Sequence, residues 1–223
     1  MVTTLLTSIQ AWTSNVISKP YSGPIINIGQ LKVILFIVCL LPLMFLIWGL
    51  FADQLGANPI EKLTRSSGLW ALRFLLITLC ITPLRWLTHI NQLIRFRRML
   101  GLFAFFYAFV HMLLYLGLDQ FFDVDEIIRD IIKRPFITIG FISFTTLLPL
   151  VITSTNKMVK RLGGQRWRRL HRLTYFVAMA SCIHFLMLVK ADIREPVIYI
   201  ILLTVLLGMR LLRHYQQKKL VSS

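Results

Sequence analysis

The sequence predicts an all-α polytopic membrane protein, a bundle of six transmembrane helices with both termini on the cytoplasmic side. Three observations carry this. Hydrophobic residues make up 57% of the 223 residues and charged residues only 15%, with a mean hydropathy of +0.71, a balance outside the soluble globular range. Six runs reach or approach the roughly 20 apolar residues that a spanning helix needs. Fifteen of the 25 Lys and Arg residues gather at alternate connections and the tail, whereas all nine acidic residues fall in the other connections.

Taken in order, the expected spans are 33–51, 68–87, 99–118, 136–155, 173–189 and 196–212. The first, third and fourth contain no Lys, Arg, Asp or Glu; the second carries Arg73 near one end and Arg85 near the other, and the last two are shorter. Basic loops stay cytoplasmic. Arg85, Arg95, Arg97 and Arg98 surround the second connection, seven basic residues fill 157–172, and the tail adds Arg210, Arg213, Lys218 and Lys219. These segments belong inside, which fixes the direction of every span. The same clustering between apolar runs favours anionic lipid headgroups as the partner of the positive charge and argues against nucleic acid.

Residues 1–30 close on Pro20-Tyr21-Ser22-Gly23-Pro24 and read as a flexible or interfacial arm. With no basic start or compact apolar core, they are not expected to be a removable signal. The transmembrane domain is expected over 31–213 and a short basic tail over 214–223. Between the third and fourth spans, residues 119–130 carry acidic residues with Phe121-Phe122 and Ile127-Ile128, the pattern of a short amphipathic helix on the outer surface. No internal repeat is evident. Cys39, Cys80 and Cys182 lie in apolar runs without a C-x-x-C pair and are expected to be packing residues.

Chemistry enters with the histidines. At about 1.5 Å per residue, His111 in the third span and His184 in the fifth both lie about 18 Å from the cytoplasmic edge. An imidazole among lipid tails needs a partner, and two at one depth in helices of the same direction point to a shared ligand, haem iron. The absence of C-x-x-C-H leaves a b-type haem. His171 lies at the cytoplasmic margin, a candidate ligand for a second haem, although 13 helical steps leave it about 140° out of phase with His184. The residue 13 before His111 is Arg98, which is no haem ligand. His89 and His214 lie within reach of water and need no ligand. Arg73, near the outer end of the second span, either snorkels to the interface or pairs with a haem propionate. The basic run 166–172 could hold inner propionates, a flavin phosphate or an electron donor, or serve only as a topology determinant.

Four stretches carry a resemblance: LGANPIEKLTRSSGLWALRFLLITLCITPLR, IRFRRMLGLFAFFYAFVHMLLYL, KRPFITIGFIS with the later TST, and LGGQRWRRLHRLTYFVAMASCIHFL. In order and spacing the chain resembles the MsrQ (YedZ) family, haem-binding membrane subunits of the bacterial periplasmic methionine sulfoxide reductase system, within the ferric-reductase-like transmembrane group. The resemblance implies that His111, His171 and His184 are the haem-associated histidines. It also implies a bound flavin mononucleotide, residence in the bacterial inner membrane, and a periplasmic molybdopterin-containing reductase as partner. About ten residues follow the last span, fewer than the roughly 30 of a βαβ unit, so electrons are expected from a separate donor, the quinol pool or a cytoplasmic flavin reductase. The expected function is transmembrane electron transfer, with methionine sulfoxide reduced on the partner. Two rival readings stand beside it: a transporter or channel with a histidine proton relay, disfavoured because no carboxylate lies within a span, and a membrane anchor without redox activity.

Overall fold

The computed structural model describes residues 27–189 and 191–222, with side chains described as far as residue 219. The described residues form helices joined by short turns and loops, without strands, and six helices are long and apolar enough to cross a membrane. This is a multi-pass, all-α membrane protein. Two units divide the chain, Met1–Leu35 and Phe36–Ser223. In the first, the described residues open helix α1 (Ile28–Phe51), where the Asn27 side chain accepts a hydrogen bond from the Gly29 amide. The N-terminal arm expected at 1–30 otherwise lies outside the described residues.

The second unit holds the rest of α1 and every later element. Helix α2 (Pro59–Thr88) starts nine residues before the expected span because the sequence carries a complete start signal there. Asn58 caps the Glu61 amide, its own side-chain amide bonds the Glu61 carboxylate, and Pro59 takes the first turn, where a missing N–H costs nothing. A single 3₁₀ turn at Asn91–Leu93 leads into α3 (Ile94–Leu114), which widens into a π-helical turn at Tyr115–Asp119. The amphipathic segment begins later than expected: α4 spans Val124–Lys133, capped by the Asp123 carboxylate on the amides of Asp125 and Glu126. Phe121 and Phe122 precede it in left-handed backbone, at φ 47° and 59°.

Next come α5 (Pro135–Ile152), α6 (Asn156–Leu162), α7 (Gly164–Leu170), α8 (Leu173–Leu188) and α9 (Arg194–Ser222). The last helix runs on past the expected span to Ser222, since the residues beyond 212 include neither Gly nor Pro to stop it. Two antiparallel pairings dominate the packing, α2 with α3 and α5 with α8; α3 also meets α5, and α9 packs on α8 and α2. Leu72, Leu75, Leu79, Phe103, Tyr107, Val177 and Ala178 are among the buried residues between them.

One polar contact joins α1 to this core. Tyr107 is fully buried, its hydroxyl donating to the Cys39 carbonyl at 2.8 Å and accepting from the Leu43 amide at 3.1 Å. These two backbone groups lie four residues apart on either side of Pro42, and the phenol bridges them. Tyr107→Phe strands both, and a loss of about 1–2 kcal/mol is expected, measured as a lowered midpoint of thermal unfolding in detergent.

Candidate functional site

A helix carbonyl retains a second lone pair after accepting its amide four residues on. At two places in this bundle a glycine at that fourth position uncovers the lone pair, and a histidine from the paired helix occupies the gap. The His111 Nδ1 lies 2.7 Å from the Thr64 carbonyl oxygen, and its ring rests on Gly68. The His184 Nδ1 lies 2.6 Å from the Phe136 carbonyl oxygen, and its ring rests on Gly140. The acceptors precede their histidines by 47 and 48 residues, so the α2–α3 and α5–α8 pairs repeat one motif. This is a repeat of geometry without repeated sequence, which is why none is evident in the chain.

A carbonyl can only accept, so each Nδ1 carries the proton and each Nε2 keeps a free lone pair. This tautomer is the one a metal-binding histidine adopts when its outer nitrogen is held by the protein. The two ring centroids are 6.3 Å apart with planes at 76°. An imidazole nitrogen binds a first-row metal at about 2 Å and lies about 1.1 Å from its ring centre, so two rings on opposite sides of one ion stand about 6.3 Å apart. The pair therefore stands at the spacing of two imidazoles held by one metal ion.

Both rings line a cavity of about 680 Å³ among α2, α3, α5 and α8, a size typical of cofactor sites. Small residues, Ala71, Ala104, Ala108, Ser143 and Ser181 with the two glycines, line it together with the apolar Leu75, Phe144 and Leu147. Toward the starts of α2 and α5 and the end of α3 the lining turns polar, with Asn58, Glu61, Arg65, Asp119, Tyr115 and Arg134.

The other expected site residues lie elsewhere. Arg73 is not in the cavity lining; its Nε donates to the Tyr199 hydroxyl on α9 at 2.8 Å and its guanidinium lies 4.7 Å from the centre of the Trp70 ring. His171 follows α7 where the chain breaks before α8, so the straight-helix phase does not apply. Its Nε2 lies 3.2 Å from the Thr153 hydroxyl, and its ring stacks on Trp167 at 4.0 Å. His171 and His184 thus face opposite ends of the same helix, α5. Arg98 bonds the Asn156 side chain. His89 is the left-handed cap of α2 and His214 lies exposed on α9. Sequence reasoning missed Arg65 and Arg134, and it missed the glycines. Ala104, Ala108 and His111 at helical spacing are the one signal that a narrow, small-residue face carries the ligand.

The model of the ferric reductase like transmembrane component matches residues 67–182, which contain His111 and both glycines, and His184 follows two residues past the end of the match. The chain belongs to this family. Within it, the chain is 52% identical to a protein-methionine-sulfoxide reductase heme-binding subunit MsrQ of Herminiimonas arsenicoxydans, over 84% of this chain and 87% of that one. An MsrQ of Azospira oryzae is 51% identical over 82% of this chain and 79% of its own length, and one of Caulobacter vibrioides 49% identical over 74% and 79%. The MsrQ family expected from the quoted stretches is therefore the family of this chain.

In a helix interior Gly→Ala ordinarily stabilises by about 1 kcal/mol. Here a Cβ at Gly68 would stand 2.9 Å from the His111 Nδ1, and one at Gly140 3.1 Å from the His184 Cε1. Gly68→Ala and Gly140→Ala are expected to lower the thermal unfolding midpoint instead of raising it, with Gly68→Ala the more severe; melting curves of the two variants beside Gly208→Ala, where nothing is in the way, check the sign.

Proposed function

We propose that this chain is the haem-carrying electron-transfer subunit of a methionine sulfoxide reductase system, with His111 and His184 as the axial ligands of one b-type haem. The observation that carries the reading is the pair of imidazoles 6.3 Å apart in one cavity, each with Nδ1 committed to a helix carbonyl. The heme-binding name of the relatives supports it. Bound there, haem iron supplies one-electron redox chemistry.

The protein's own contribution follows from the residues. The Thr64 and Phe136 carbonyls hold the rings in place and make each Nε2 a better donor. His111 and His184 would hold the haem between them and leave oxygen or substrate no place at the metal, which suits electron transfer and leaves sulfoxide reduction to a partner. The apolar wall of Leu75, Phe144 and Leu147 keeps the local dielectric low.

In this scheme the chain lies in the bacterial inner membrane with both termini cytoplasmic. Electrons come from the quinol pool or a cytoplasmic flavin reductase, and the acceptor is a periplasmic molybdopterin-containing catalytic subunit. The basic segment at 166–172 faces the donor side, where its arginines would take a flavin mononucleotide phosphate or an acidic donor surface. His171 enters as a further cofactor contact, toward a second haem on the inner side, whereas Arg73, held by Tyr199 and Trp70 away from the cavity, is left without a part in it.

Purified protein is expected to show a reducible six-coordinate low-spin spectrum that His111→Ala or His184→Ala abolishes and His89→Ala with His214→Ala leaves intact. Loss of the spectrum only in the latter pair refutes the assignment. Haem per chain by pyridine haemochrome on wild type and His171→Ala then decides the inner side: a fall in the ratio gives His171 a haem of its own, and an unchanged ratio leaves the chain with the His111–His184 haem.

A further inference from the structure

The polar end of the cavity holds two arginines to which neither the motifs nor the family description gives a role. Arg65 lies one residue beyond Thr64, the carbonyl that holds His111, and Arg134 lies two residues before Phe136, the carbonyl that holds His184. Each arginine is therefore tied by a residue or two of backbone to one of the two ligand seats. Both side chains are exposed yet line the same cavity as the imidazoles.

Their pairing is incomplete in a particular way. Among the described residues Arg65 makes no hydrogen bond or ion pair, although Glu61 and Asp119 share the cavity mouth. Glu61 is engaged with Asn58 at the start of α2. Arg134 uses only its Nε, 3.3 Å from the Asp130 carboxylate, which leaves its two terminal amino groups uncommitted. Asp130 is itself buried and is held by Gln120 at 2.9 Å and by the Tyr115 hydroxyl at 3.3 Å, so the guanidinium is anchored from behind. An uncommitted pair of forked cations at the open end of an apolar cavity matches a ligand with a flat apolar body and two carboxylates along one edge.

The geometry points to Arg65 and Arg134 as a two-armed clamp for the propionate carboxylates of the haem, setting the rotation of the macrocycle about the His111–His184 axis. This rests on the haem reading above and takes it further: the ring enters with its carboxylate edge toward the outer helix ends, and Asp130, through Arg134, is a positioning residue. Because both arginines are partly in water, each is worth a modest share of cofactor retention.

The test compares haem with haem dimethyl ester, whose propionates carry no charge, in full-length protein produced without haem and reconstituted in detergent. The readout is the rate at which excess apomyoglobin removes the ligand. Arg65→Gln and Arg134→Gln are each expected to speed haem loss roughly three- to tenfold, while the low-spin spectrum stays unchanged. Arg134→Lys, which keeps the charge beside Asp130 but not the fork, should fall between. Wild type holding the ester should release it as fast as the double glutamine variant releases haem, and the substitutions should leave ester release unchanged. Equal acceleration for haem and ester, or none for either, overturns the clamp while leaving the histidine ligation standing. Absence of a low-spin spectrum in wild type overturns both.

Discussion

Two hydrogen bonds from imidazole to helix carbonyl organise this molecule. A carbonyl in a spanning helix is normally hidden beneath the side chain four residues on; Gly68 and Gly140 remove that cover, and His111 and His184 take its place at 2.7 and 2.6 Å. The bond satisfies one nitrogen of a group that is costly among apolar side chains and at once decides which nitrogen remains available. Ring position, tautomer and the close approach of α2 to α3 and of α5 to α8 are one constraint seen from three sides.

The cavity is a consequence of that constraint. Two helix pairs, each brought close by a glycine seat, present alanines and serines toward each other, and the space they leave is where the free nitrogens point their chemistry. The same economy explains the polar rim: Arg65 and Arg134 arrive with the first turns of α2 and the start of α5 because the acceptor carbonyls lie there too. Arg73, two turns further along α2, is drawn instead to Tyr199 and Trp70.

Outside the cavity the fold handles its polar groups locally. Tyr107 bonds the α1 backbone on either side of Pro42, and Asp130 gathers Tyr115, Gln120 and Arg134 where the π-helical turn after His111 meets α4 and α5. His171, at the break between α7 and α8, is matched by the Thr153 hydroxyl and the Trp167 ring in place of a second helix carbonyl. His171 therefore rests on a different kind of contact from His111 and His184.

The membrane class, the number of spans and the levels of the two principal histidines were legible in the chain, because hydropathy, charge bias and rise per residue are properties of each segment against its solvent. The cap at Asn58 and the small-residue face ending at His111 were equally open to reading. What tertiary structure alone decided was pairing. Which carbonyl meets which imidazole, whether Arg73 or Arg65 borders the cavity, and how the break at His171 turns its ring toward α5 all depend on contacts between residues tens of positions apart. Hydrophobic periodicity carries no record of these, since a glycine that seats a histidine has the same local signature as one that seats nothing.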